Sequence, residues 1–132
     1  MRGLCLMDDE SMRIRRLTDA TEIIAGDGTR LRELLHPDRG YSFEGRYSLA
    51  HAVLSSRKRS LRHRLSTDEV YVILQGEGIM HVDNDSAPVQ AMDVIEIAPG
   101  SVQWIENVSP KDLVFLCIVD PAWQSRDEEI LE

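Results

Sequence analysis

The sequence is poor in cysteine and contains no long apolar run. Its 2 cysteines are Cys5, near the N-terminus, and Cys117, inside "LVFLCIVD", so they form neither a CxxC pair nor a disulfide framework. No stretch approaches the ~20 apolar residues of a membrane-spanning helix, and the apolar patch in "MRGLCLMDDE" is too short for a signal-peptide core. These absences predict a cytoplasmic protein in a reducing compartment, with no membrane partner.

Basic residues are also in deficit. Lys and Arg total 15 against 23 for Asp and Glu, which gives a net charge of −8. A nucleic-acid partner is not expected, because such binders must neutralise a polyanionic backbone. The basic stretch "SSRKRSLRHR" (55–64) is interpreted as solvated surface, or as a patch that steers a small anionic ligand.

The composition is that of one soluble domain that folds by burial. The chain has 132 residues, of which 42% are hydrophobic and 29% are charged. We expect a single domain over 1–132, with a core barrel at about 46–119, N-terminal strands within 12–36 and a C-terminal tail at 120–132. Trp123 is the expected anchor of that tail.

Short apolar segments separated by turn residues dominate the middle of the chain, and they predict consecutive antiparallel strands. The predicted strands are "RYSLAHAVL", "LRHRL", "EVYVIL", "IMHVD", "APVQ", "DVIEIA", "VQWIEN" and "LVFLCIVD", preceded by "MRIRRL" and "TRLRELLHP". Only "DATEII" is expected to begin a helical turn. So many short strands in a small domain predict an all-β closed barrel or double-sheet roll, because an open sheet would expose two pairing edges.

Two of these strands, "EVYVIL" and "LVFLCIVD", are apolar on both faces, so both faces should be covered. The N-terminal strands or a second subunit would provide the outer layer. A homodimer is the natural expectation.

The spacing within "HRLSTDEVYVILQGEG" and "MDVIEIAPGSVQWIEN" resembles the two motifs of the cupin family, small β-barrels often built around a metal ion. The first motif reads G, five residues, H-x-H, three or four residues, E, six residues, G; the second reads G, five residues, P-x-G, two residues, H, three residues, N. The positions that match the motifs are His63, Glu69, Gly76, Gly100 and Asn107. Both motifs and the stretch between them fit without insertion, so the resemblance covers about residues 46–119 and implies a double-stranded β-helix, the jelly-roll barrel of cupins.

The chain departs from the motifs at two family ligands and three turn positions. Leu65 and Gln103 stand where histidines are expected, whereas Arg57, Met92 and Ala98 replace two glycines and a proline. What remains implies a reduced site in which His63, Gln103 and Glu69 could hold Fe, Mn, Ni or Zn, although an amide is a weaker donor than imidazole.

Each candidate residue also has a structural interpretation. His63 could be an ordinary strand-end histidine, Glu69 a solvated or Arg-paired carboxylate, and Gln103 an interior amide bonded to Tyr71 or Asn107. If Glu69 points inward, burial would raise its pKa and make it a candidate catalytic proton carrier. His51, Tyr71 and Asn107 are the further candidates for the ligand pocket. Three glycines are expected in turns that need a positive φ: Gly76, Gly78 and Gly100.

Three functions therefore remain open. The first is a metal-dependent enzyme acting on a small polar substrate, similar to mannose-6-phosphate isomerase-like cupins or small dioxygenases. The second is a non-catalytic module that binds a sugar or an organic acid. The third is a dimeric scaffold whose interior is filled by side chains and has no room for a ligand.

Overall fold

The computed structural model describes residues 12–132 and is built almost entirely from strands. Short 3-10 turns cover Leu17–Asp19 and Ser125–Asp127. The eleven strands are β1 (Glu22–Ile24), β2 (Arg30–Leu35), β3 (Ser48–Leu54), β4 (His63–Leu65), β5 (Asp68–Gln75), β6 (Glu77–Val82), β7 (Asp85–Gln90), β8 (Val94–Ile97), β9 (Gln103–Asn107), β10 (Leu113–Asp120) and β11 (Glu128–Ile130).

The strands form two antiparallel sheets that face each other. One sheet has the order β1-β2-β3-β10-β5-β8 and the other β11-β4-β9-β6-β7. Neighbours in space are mostly distant in sequence, since β3 pairs with β10 and β4 with β9. This is the double-stranded β-helix that the sequence predicts, so the all-β jelly-roll expectation is confirmed.

Strand prediction failed at the two ends of the chain. Residues 12–16, within the predicted strand "MRIRRL", have no regular structure, and residues 22–24 form β1 where "DATEII" suggested a helical turn. In the tail, Glu128–Ile130 forms β11 and pairs with β4. β1 and β11 are only three residues long, too short to show a periodic pattern, whereas the alternation in "MRIRRL" predicted a strand that does not form.

The core lies between the sheets and follows the alternation of each strand. In β10 the inward side chains are Leu113, Phe115, Cys117 and Val119, and every second residue faces outward. The outward positions of β5 and β10 carry apolar side chains that are half-buried or exposed, such as Leu74 at 40% exposure. A second copy of the chain would cover this outer face, so the homodimer stays a prediction.

Left-handed backbone occurs at both motif positions from which glycine has been replaced. Arg57 has φ 65° and Met92 has φ 76°, so the turns keep their geometry without the residue that adopts it most easily. Gly76 and Gly100 have positive φ as predicted. The same prediction is wrong for Gly78, which lies in β6, where a Cβ atom would come 2.5 Å from the Glu106 carbonyl oxygen. Gly78 is needed for close packing rather than for a turn.

Candidate functional site

One end of the barrel interior is hollow. A cavity of about 320 Å³ lies between the sheets, and its wall is mostly apolar, with Leu65, Cys117, Val119 and Trp123 among the lining residues. Ile24 also lines it while remaining 68% exposed, so the mouth opens beside β1. The scaffold hypothesis expected a filled interior, and this cavity argues against it.

Glu69 and Gln103 form a buried pair at the cavity. Glu69 is on β5 and lines the cavity at 6% exposure, and the Gln103 side chain on β9 is fully buried. Gln103 Nε2 donates a hydrogen bond of 2.7 Å to Glu69 Oε1. Burial raises the pKa of Glu69 to about 8, because the hydrogen bond from Gln103 only partly offsets the loss of solvation and the nearby carboxylates of Asp27 and Glu128 add to it. Glu69 therefore holds its proton near neutral pH.

His63 lies next to this pair and opens on the same cavity. It is opposite Gln103 in the β4–β9 register and is 3% exposed. Its Nδ1 donates to the Leu61 carbonyl oxygen at 2.7 Å, because a carbonyl can only accept. Its Nε2 lies 3.7 Å from Asp27 Oδ2. In the neutral ring, Nε2 is thus left as an acceptor.

Two further carboxylates belong to this site and were missed by the sequence analysis. Asp27, in the β1–β2 turn, accepts hydrogen bonds from the Thr29 backbone N–H at 3.1 Å and hydroxyl at 2.8 Å. Glu128, at the start of β11, lines the cavity, and burial raises its pKa against the opposing effects of His63 and the Trp123 indole N–H. Both arrive through pairing between distant parts of the chain, so no local motif could have identified them.

Trp123 is fixed in the wall by its backbone. Its N–H donates to Ser48 Oγ at 2.9 Å, and its carbonyl accepts from His36 Nε2 at 2.7 Å. His36 is fully buried, and its Nδ1 accepts from the Asp38 N–H at 3.1 Å. The tail therefore forms a wall of the site.

The other predicted pocket residues lie elsewhere. Tyr71 is buried one position deeper on β5 and stacks on Phe115 with 4.7 Å between ring centroids. Asn107 bonds the Leu54 and Lys111 carbonyls and thus holds the end of β9 to neighbouring segments. His51 occupies the face of β3 opposite Ala50, which lines the cavity, and burial together with Arg32 lowers its pKa. The structure brings His63, Glu69 and Gln103 together, and it separates His51, Tyr71 and Asn107 from them.

The donors at the cavity do not fit a metal centre of the family type. Within residues 12–132, no group of three or more His, Cys, Asp or Glu side chains is arranged to hold an ion. Leu65 lines the cavity where a second histidine is expected, and the Gln103 amide is engaged with Glu69. Asp27 and Glu128 lie near His63 and Glu69, but the four side chains are not arranged to hold an ion together. No chemical step is therefore derived through a metal.

No helix in the described part of the chain has the length and apolar character needed to cross a membrane.

A family model and two related proteins match this chain. The cupin domain model matches residues 52–119. An uncharacterized protein from Methanocaldococcus jannaschii is 38% identical over 111 residues, which is 83% of this chain and 86% of that protein. An oxalate-binding protein from Thermotoga maritima is 39% identical over 51 residues, covering 39% of this chain and 42% of the relative.

Solved structures show the same fold. A predicted oxalate decarboxylase from Thermotoga maritima superposes with a TM-score of 0.72 at 23% identity, covering 83% of this chain and 99% of the other. A cupin 2 conserved barrel domain protein from Salinispora arenicola gives a TM-score of 0.70 at 19% identity, with 89% and 92% covered. With the family model matching just over half of its residues, this chain belongs to the cupin family.

Proposed function

We propose that this protein binds a small organic molecule in the barrel cavity and holds it through His63 and Glu69 without a metal ion. The observation that carries the proposal is a cavity of about 320 Å³ on which two buried polar side chains open. That volume lies in the range of ligand pockets, which are typically apolar with a few polar groups that orient the ligand.

The two polar groups have complementary abilities. Glu69, with a pKa of about 8, can donate a hydrogen bond or a proton near neutral pH, and His63, which donates from Nδ1 to Leu61, can accept one at Nε2. A ligand between them would be oriented, and Glu69 could exchange a proton with it. Binding is proposed first because orienting a ligand requires no reactive group beyond this pair.

The comparison proteins support a small-molecule ligand but not its identity. The T. maritima relative is named for oxalate binding, yet it aligns with well under half of this chain. Sugar-phosphate isomerisation and dioxygenation are the metal-dependent alternatives that the family resemblance implied. Metal-free binding is favoured over both, because no group of three or more ligating side chains among residues 12–132 is arranged to hold an ion.

The test is a thermal-shift screen of the purified protein in EDTA against small acids, amines, alcohols and sugars. A ligand present at one hundred times its Kd should stabilise the fold by about 2.7 kcal/mol. We expect His63→Ala and Glu69→Gln to lose the shift and Glu96→Gln, on the outward face of β8, to retain it. Failure of every compound to bind would refute the proposal, as would one tightly held metal ion per chain that disappears in His63→Ala.

A further inference from the structure

Resting on the binding function proposed above, we propose that the cavity selects a protonated amine with a compact apolar body. The charges and the unused hydrogen-bonding atoms around the cavity carry this inference, and both favour a cationic donor over a carboxylate.

Three carboxyl groups converge from three separate parts of the chain. Asp27 comes from the β1–β2 turn, Glu69 from β5 and Glu128 from β11, and each lies close enough to affect the others electrostatically. Among residues 12–132, no Lys or Arg side chain forms an ion pair with any of the three. The basic side chain nearest to them is the His63 imidazole, whose Nε2 lies 3.7 Å from Asp27 Oδ2.

The one arginine on the cavity wall does not change this balance. Arg39 and Glu33 both line the cavity, and Arg39 Nε donates to Glu33 Oε1 at 2.6 Å while Nη2 donates to Oε2 at 3.2 Å. This pair is neutral as a unit. Because Glu69 holds its proton near neutral pH, the remaining charge comes from the carboxyl groups of Asp27 and Glu128, and it favours a cation and repels a carboxylate or dicarboxylate.

An unpartnered buried acceptor gives independent support. Gln103 Oε1 is buried and has no hydrogen-bond partner, although its own amide N–H is bonded to Glu69. Its Nε2 lies 2.7 Å from Glu69 Oε1, so the amide is beside that carboxyl group, and Gln103 pairs with His63 in the β4–β9 register. Buried acceptors are rarely left unsatisfied, so this oxygen calls for a donor from a ligand.

The unused acceptors around the cavity can be satisfied by one group. Gln103 Oε1, His63 Nε2 and the Glu128 carboxylate are acceptors, and an ammonium group offers up to three donors and no acceptor. A cation bound beside Glu69 would favour the ionised form of that carboxyl group, which then becomes a further acceptor. The rest of the wall is apolar and includes Leu65, Val119 and Trp123. An aromatic or branched aliphatic body would fill it.

The experiment compares three ligands of matched shape and different charge: 2-phenylethylamine, 2-phenylethanol and 3-phenylpropanoate. Binding is measured by calorimetry at pH 7 in EDTA, with oxalate as a fourth probe. We expect the amine to bind at least about tenfold more tightly than the alcohol, and the two acids to bind more weakly still. Equal or tighter binding of the alcohol, the phenylpropanoate or oxalate would overturn the ammonium inference and leave the binding function intact.

Variants locate the charge that is responsible. Glu128→Gln keeps an acceptor for the Trp123 indole, so the fold should be preserved while amine affinity falls by about tenfold and alcohol affinity stays within about twofold. The matched control, Glu96→Gln, should leave both unchanged. An equal loss for amine and alcohol in Glu128→Gln would contradict the inference. If all four probes fail to bind, the charge of the compound that binds in the broader screen tests the inference. A cation would support the inference, and a neutral or anionic compound would overturn it. The absence of any binding would refute the proposed function itself.

Discussion

The two ends of the barrel interior share the same strands and yet differ in packing and in polarity. On β10, Leu113 and Phe115 fill one end at 0% and 1% exposure, whereas Cys117 and Val119 leave space at the other. The filled end is apolar and closed. The hollow end carries the buried carboxyl group of Glu69, whose pKa is raised to about 8.

The difference arises from side-chain size and polarity on a continuous backbone. Ala50 and Ala52 lie two residues apart on the same face of β3, but Ala50 lines the cavity and Ala52 is fully buried against the core. The strand alternation that builds the filled end thus also builds the pocket. A few small or polar residues are sufficient to convert a core into a binding site.

The two ends of the interior should differ most in their response to pH. Glu69 binds its proton more tightly in the native state than at its usual value of 4.5, so the native protein takes up more protons than the unfolded chain between pH 4.5 and about 8. Stability should therefore be greatest below pH 4.5 with respect to this group and should decline as the pH rises through about 8. The loss is a few kcal/mol, at about 1.4 kcal/mol per pKa unit.

Urea unfolding of the wild type and of Glu69→Gln at pH 5, 6, 7 and 8 measures this effect. The difference between the two proteins isolates Glu69 from other titrating groups, and Gln cannot ionise. We expect the variant to gain stability relative to the wild type as the pH rises. Parallel pH profiles would show that Glu69 titrates normally and that the hollow end is not sensitive to charge.

A matched pair of substitutions tests the packing difference directly. Ala52→Leu forces a larger side chain into the filled end and should destabilise the protein by about 1–3 kcal/mol. Ala50→Leu projects into the cavity, so it should have a smaller effect on stability and should abolish ligand binding. Chemical denaturation and the ligand screen measure the two effects. Equal destabilisation by both substitutions would mean that the cavity closes in solution.

The smallest expected effect comes from a turn at the filled end. Met92 has φ 76° and is 75% exposed, and its N–H donates to the Ile73 carbonyl. Met92→Gly should relieve left-handed strain, partly offset by the greater freedom of glycine in the unfolded chain, for a net gain of about 0.5–1 kcal/mol. Thermal unfolding measures the gain. Ligand affinity should not change, because Met92 does not line the cavity, and a change in affinity would argue against independent ends.

Alternation is a local property, so the sequence was sufficient to predict the fold and to propose part of the candidate site. The predicted strand "LVFLCIVD" coincides with β10, and the inward parity of His63, Glu69 and Gln103 follows from their strands. Asp27 and Glu128 could not be found in this way, because Asp27 approaches His63 through the β1–β2 turn and Glu128 reaches the cavity through the β11–β4 pairing. His51 shows the limit of parity, which groups residues by face without saying which face is inside.

Several residues of the candidate site come from segments that flank the family domain. Asp27, Trp123 and Glu128 all fall outside residues 52–119, the stretch that identifies the family. The central stretch thus supplies one part of the cavity wall, and the flanking segments supply the rest of the wall and much of its charge. Cupins with identical central motifs can accordingly bind different ligands. The ligand of one member has to be inferred from its own flanking segments and not from the ligand of a relative.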